Sequence, residues 1–198
     1  MEFLIEVPAH IRGLIFDCDG TLVDSMALHM EAWRHAMQHC SALYDHEFFY
    51  SKKGMKETDI IRLYNARFRT ALNAEEVVEV KHRYFSERIH TVKPFEPVVE
   101  VVRRYRGALP MAVVSGSVRQ IVSGELKAIG IVDAFRTILT ADDPFRQKPA
   151  PDMFLEAARL LEVRPSLCQV FEDGDLGLRA AREAGMVATD VRPFTETE

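Results

Sequence analysis

The chain has 198 residues, 47% of them hydrophobic and 28% charged, enough apolar content to fill a core and too much for a disordered chain. Its 25 lysines and arginines stand against 30 acids, and a net charge of −5 excludes a generalised nucleic-acid or anionic-membrane surface while leaving room for a local basic pocket. No apolar run approaches the roughly 18 residues of a membrane span, and Met1-Glu2-Phe3-Leu4-Ile5-Glu6 carries acids where a secretory signal carries a basic segment, so a cytoplasmic protein is expected.

The first predicted element is a strand at 13–16, apolar throughout and ending at Asp17. From 25 to about 91 the apolar residues follow helical spacing, with no convincing strand. A helix over 26–39 sets Ala27, Met30, Trp33 and Met37 on one face, and another starts near 56–58. A third covers 74–89, with Asn73 as its N-cap and Glu75 and Glu76 in the first turn, where the helix dipole favours acids. Prolines 94 and 97 then stop the helix and stiffen the return at 91–97. Strands at 110–114, 137–140, 167–171 and 187–191 alternate with helices at 97–106, 118–129, 152–163 and 175–184, and residues 195–198 are expected to fray. Strands apolar on both faces that alternate with helices predict an α/β fold, a Rossmann-like doubly wound parallel sheet core. Residues 1–24 and 92–198 form that core, and 25–91 form a helical insert.

Four motifs carry candidate chemistry. In Phe16-Asp17-Cys18-Asp19-Gly20-Thr21, two carboxylates two residues apart follow a buried strand, at the edge where open α/β sheets bind ligands. Acids after strands also satisfy loop amides, and a bare pair does not decide between the two. A second pair, Glu172-Asp173, follows the strand at 167–171. Four acids converging at one sheet edge repel unless a cation sits among them, and oxygen-only ligands point to Mg²⁺. In Ser115-Gly116-Ser117, the Ser115 hydroxyl and backbone N–H groups can face an anion, while Ser117 is expected to cap the following helix. In Lys148-Pro149-Ala150-Pro151-Asp152, the prolines hold the lysine at the approach to a helix capped by Asp152. Cys18, Cys40 and Cys168 fit neither a disulfide framework nor a zinc site, and Cys18 reads as buried filler. Lys52, Lys53 and Lys56 around Gly54 fit either a solvated loop or a substrate-facing one, and the arginines at 103, 104 and 106 read as a solvated helix face.

The order D-x-D-G-T, strand-S-G-S, K-P-x-P-D, E-D-x-x-x-G over nearly the whole chain resembles the haloacid dehalogenase superfamily, and the helical insert is similar to that family's small helical cap. Asp24, His29-Met-Glu-Ala-Trp33 and Phe171-Glu172-Asp173-Gly174 look like the branch holding β-phosphoglucomutase and sugar-phosphate phosphatases. The stretches 148–152 and 170–192 most resemble its fructose-1-phosphate phosphatase group. By position, the resemblance implies Asp17 as nucleophile and Asp19 as general acid and base. It implies Mg²⁺ held by Asp17, the backbone carbonyl of Asp19 and Asp173, with Glu172 alongside. Ser115, Gly116 and Lys148 would bind the phosphoryl group, His29 matches a cap histidine, and Lys53, Gly54 and Lys56 occupy the specificity loop. A Mg²⁺-dependent phosphatase of small phosphorylated metabolites, monomeric and without nucleic-acid or membrane partners, is therefore expected. A phosphomutase is the alternative, and a non-catalytic phosphate-binding protein the second. Against the mutase, Glu57 stands where that pattern has an arginine, and Val118 where it has a lysine.

Overall fold

A computed structural model describes residues 5–195. In chain order, β1 (Gly13–Phe16) and the two-residue β2 (Val23–Asp24) lead into four helices, α1 (Met26–His39), α2 (His46–Tyr50), α3 (Glu57–Phe68) and α4 (Ala74–Arg88), after which β3 (Lys93–Pro94) brings the chain back. The remainder is α5 (Glu96–Tyr105), β4 (Met111–Val114), α6 (Arg119–Ala128), β5 (Thr137–Leu139), α7 (Asp152–Leu161), β6 (Cys168–Glu172), α8 (Asp175–Glu183), β7 (Val187–Asp190) and α9 (Arg192–Thr195). Strands β5, β4, β1, β6 and β7 lie side by side in that order, each parallel to its neighbour.

The two-residue side-chain period of a strand explains how this sheet is covered on both faces. Leu14, Phe16, Met111, Val113 and Phe171 point to one side, where Val98 and Val102 of α5 and Val122 and Leu126 of α6 receive them. Ile15, Ala112, Val114 and Val170 point to the other, against Phe154 and Leu161 of α7 and Ala180 and Ala181 of α8. Phe16 and Phe171 stack across the β1–β6 pair with ring centroids 4.6 Å apart. The C-terminal ends of β1, β4 and β6 therefore open onto one crevice, at the point where the chain, having laid β4 and β5 on one side of β1, returns to lay β6 on the other.

Helices α1–α4 enclose a separate apolar cluster built on Trp33, Met37, Phe49, Ile61, Tyr64 and Val77. Leu28, Ala32 and Phe85 from this block meet Ile121 of α6, which seats it on the sheet layer. The outgoing and returning chains pair antiparallel as β2 and β3, Val23 against Pro94 and Asp24 against Lys93. Among the described residues no helix is long and apolar enough to cross a membrane.

Most predicted elements appear within a residue of their expected ends, and the Asn73 side chain caps α4 by accepting from the N–H groups of Glu75 and Glu76. Four details differ. Ala27 is exposed and Leu28 takes its place on the buried face of α1. Helix α2, five residues long with Asp45 as its cap, is too short for periodicity to reveal. Helix α7 stops at Leu161 because Glu162 adopts a left-handed conformation. Asp152 is not that helix's N-cap: Pro151 holds the position, and Asp152 pairs with Arg146. The end expected to fray falls largely outside the described residues, as do Met1 to Leu4.

Candidate active site

Asp17 leaves β1 with its backbone N–H donating to the Phe171 carbonyl, so the turn after β1 is tied to the end of β6. That tie brings Asp17, Glu172 and Asp173 together, and one carboxylate oxygen from each lies within 4.8 Å of the others. Lys148 enters from the loop before α7 and donates to Asp17 Oδ1 at 2.5 Å and to Glu172 Oε2 at 2.6 Å, with its ammonium buried. Asp173 accepts from Lys53 at 2.7 Å and from the Thr21 hydroxyl at 3.3 Å. Gly20 makes this packing possible, since it takes a φ of +82° and a Cβ there would lie 2.6 Å from Asp173 Oδ2.

Burial, with the Glu172 charge next, pushes the Asp17 carboxyl well above its ordinary range, and Lys148 offsets this only in part. Burial also raises Glu172. For Lys148, burial works against the charge, but Asp17 and Glu172 outweigh it and hold the ammonium above the usual lysine range. The cluster is short of positive charge, and its oxygen-only donors suit a hard divalent cation.

Asp19 faces the helical block. Its Oδ1 accepts from the Ser25 hydroxyl at 2.8 Å and lies 2.6 Å from His29 Nε2, while Oδ2 accepts from the Ser117 hydroxyl at 2.8 Å and from that of Ser115 at 3.4 Å. Burial disfavours its charge, yet the His29 ring, followed by hydrogen bonds from the Glu125 carboxyl and the Ser25 hydroxyl, holds Asp19 well below the usual carboxylate range. Ser117 is not the helix cap expected from the sequence. Val118 takes the cap position and Asp142 accepts the exposed N–H of Arg119, which leaves the Ser117 hydroxyl free to serve Asp19. Behind His29, the buried Lys81 ammonium donates to its Nδ1 at 2.7 Å and pairs with Glu57, whose other oxygen meets His82. An acceptor role for Nδ1 leaves the ring proton on Nε2, directed at Asp19.

The structure thus gathers Asp17, Asp19, His29, Ser115, Gly116, Lys148, Glu172 and Asp173 around one cavity, with Lys53 and Gly54 closing it from the helical block. Closure is tight, because a Cβ on Gly116 would come within 2.7 Å of the Gly54 carbonyl oxygen. Lys56 does not join them; it is exposed and holds the N-cap position ahead of α3. Cys18 is more than filler, since its thiol lies 3.5 Å from a carboxylate oxygen of Glu125. Sequence reasoning missed Lys81 and Glu125. Each is a charged residue on an apolar helical stripe, Lys81 among Val77, Val78 and Phe85, and Glu125 among Ile121, Val122 and Leu126. That placement was their available signal.

Residues 14–191 match the family model described as haloacid dehalogenase-like hydrolase. The chain is 39% identical over 184 residues to fructose-1-phosphate phosphatase YqaB of Escherichia coli (strain K12), covering 91% of this chain and 96% of that protein. It is 28% identical to beta-phosphoglucomutase of Bacillus subtilis (strain 168), over 91% of this chain and 83% of the relative. Its fold superposes on the crystal structure of beta-phosphoglucomutase from Clostridium difficile with a TM-score of 0.78 at 25% identity, covering 91% of this chain and 84% of the other.

Proposed function

The chain belongs to the haloacid dehalogenase-like hydrolase family, and from that premise we propose that it is a Mg²⁺-dependent phosphatase of small sugar or related metabolite monophosphates, acting through an aspartyl-phosphate. The observation that carries this reading is the meeting of Asp17, Glu172 and Asp173 around the buried Lys148, with Asp19 beside them at the mouth of the helical block. The division is residues 1–24 and 92–198 as catalytic core and 25–91 as cap. The similarity to a fructose-1-phosphate phosphatase supports a sugar phosphate as substrate class.

In this mechanism an Asp17 oxygen attacks phosphorus, and the bond it forms replaces the ester P–O bond. Asp19 delivers a proton to the departing oxygen. It then takes one from the water that attacks phosphorus, which releases phosphate and restores the Asp17 carboxylate. His29 holds Asp19 in its base form when no ester is present, and a phosphate dianion nearby raises its affinity for the proton the first step needs. Lys148 and the hydroxyl of Ser115 face the charge that spreads over the transferring phosphoryl oxygens. A Mg²⁺ ion held by Asp17, Asp173 and the backbone carbonyl of Asp19, with Glu172 alongside, would supply charge neutralisation between carboxylate and phosphoryl group. The lid formed by Gly54 over Gly116 excludes bulk water while the ester bond breaks.

Phosphate release from an aryl phosphate and from fructose 1-phosphate, with Mg²⁺ and with EDTA, tests this reading. Turnover that needs Mg²⁺ and vanishes in a folded Asp17→Asn protein is the expected result. Undiminished release by Asp17→Asn would remove the mechanism.

A further inference from the structure

Glu125, on α6, is a fully buried carboxyl that the hydrolytic steps above leave unused. It lies beside Asp19, with one oxygen of each and a ring nitrogen of His29 all within 4.8 Å of one another. Few donors reach it. The Cys18 thiol donates to its Oε2 at 3.5 Å, while its Oε1 is buried with no hydrogen-bond donor among the described residues. Two carboxylates in contact out of water repel each other, and a proton between them turns that repulsion into a hydrogen bond. Ser25 and the His29 ring proton already hold Asp19 as the anion, so the shared proton sits on Glu125 and Glu125 is the donor.

Resting on the phosphatase reading above, we propose that Glu125 is a positioning residue that aims Asp19 at the leaving oxygen from the core side of the site. Asp19 is held from two directions. Ser25 and His29 belong to the helical block, whereas Ser117 and Glu125 belong to the sheet layer. A cap that opens to admit the ester carries the first pair away, and the second pair keeps the carboxyl in place until the cap returns. The two core-side groups are not equivalent. A serine hydroxyl rotates among acceptors, but Glu125 is fixed by the Cys18 thiol and by α6, which is anchored in the core through Val122 and Leu126. Helix α6 is also seated close against the base of the cap, since a Cβ on Gly124 would lie 2.5 Å from Ile89 Cδ1. Proton transfer requires this accuracy, because the acid must stand at hydrogen-bond distance from the departing oxygen and a displacement of about 1 Å costs on the order of a hundredfold in rate.

The test compares three variants. Glu125→Gln keeps an N–H donor at the same reach, Glu125→Met fills the space without one, and Glu125→Asp draws the carboxyl back by about 1.5 Å. With fructose 1-phosphate, kcat should fall about tenfold or more in Glu125→Met and Glu125→Asp while KM stays within about twofold, and Glu125→Gln should stay within about threefold of wild type. With an aryl phosphate, whose leaving oxygen hardly needs a proton, every variant should stay within about threefold. A merely structural role would lower both esters alike and leave Glu125→Gln no better than Glu125→Met. That pattern, or wild-type kinetics in Glu125→Met, overturns the assignment. Glu125→Asp retains a polar group in the pocket and keeps the comparison available if Glu125→Met fails to fold. The His29 ring proton that faces Asp19 gives a readout without turnover: its NMR resonance, identified by its loss in His29→Gln, should move in Glu125→Met and return in Glu125→Gln. A protein that hydrolysed neither ester would defeat the phosphatase reading, and this resonance would still decide whether Glu125 holds Asp19, since an unmoved signal in Glu125→Met refutes it.

Discussion

Replacing Lys148 with methionine removes one buried ammonium and little volume. Asp17 and Glu172, which it bridges at 2.5 and 2.6 Å, are then left facing each other in a site where burial already raises both. Breaking a buried pair from one side costs about 3–5 kcal/mol, and here one cation serves two carboxylates. For a domain of this size, about 2–4 °C per kcal/mol makes the loss of melting temperature on the order of 10 °C at pH 8. The sign with pH follows from the direction of the shifts. Carboxyls raised in the folded state bind protons there more readily than in the unfolded chain, so the deficit is largest above the ordinary carboxylate range and shrinks as pH falls toward 5. Mg²⁺ should raise the melting temperature of the variant more than that of wild type, because the ammonium no longer shares the carboxylates. Phosphate release should fall by about 10²–10³, the usual loss on deleting one donor to the charge developing in the transition state. Thermal melts at pH 5 and pH 8, with and without Mg²⁺, and initial rates with an aryl phosphate read all of this out. Wild-type rates, or an equal deficit at both pH values, would show that Lys148 does not act through its charge.

How much of this was legible beforehand differs between the sheet edge and the helical block. Asp17, Asp19, Ser115, Glu172 and Asp173 each lie at or just past the end of a buried strand, Lys148 lies on the proline-held approach to α7, and the strand order brings those strand ends together, so local pattern and topology pointed the same way. Ser117 was misread because a serine ahead of a helix ordinarily caps it, and nothing nearby in sequence discloses that Asp142, from the loop after β5, accepts the N–H in question. Glu57 sits in the first turn of α3, where an acid is explained by the helix dipole alone, which masked its pairing with Lys81, 24 residues away. The chain Asp19–His29–Lys81–Glu57–His82 spans four segments of sequence, and only packing of α1, α3 and α4 makes it continuous. Its one sequence clue is an ionisable residue in the apolar stripe of α4, which marks Lys81 as paired without naming the partner.

Asp19→Ala should impair hydrolysis of fructose 1-phosphate far more than that of an aryl phosphate, whose leaving oxygen hardly needs a proton, and equal losses in initial rate would argue against an acid role. Gly116→Ala places a Cβ 2.7 Å from the Gly54 carbonyl, so the cap should close poorly; kcat on sugar phosphates should drop about tenfold or more and limited proteolysis around 91–97 should quicken, whereas unchanged values for both would mean the lid is not needed. The remaining prediction concerns stability in acid. Glu57 has its carboxyl lowered from 4.5 to about 2, because Lys81 and His82 outweigh the burial that opposes its charge. That difference corresponds to about 3 kcal/mol of stability. A depressed carboxyl contributes it fully above the unfolded value of 4.5 and loses it as pH falls through about 2. Glu57→Gln should therefore melt well below wild type at neutral pH, and the two melting curves should converge as pH drops from 4.5 toward 2. Circular dichroism melts across that range measure the gap directly, and subtracting one protein from the other cancels the other carboxylates, which titrate in both. A gap that stays constant with pH would mean that the pair contributes packing and hydrogen bonds but no net charge stabilisation, and the account of Lys81 as a buried cation sustained by Glu57 would fail with it.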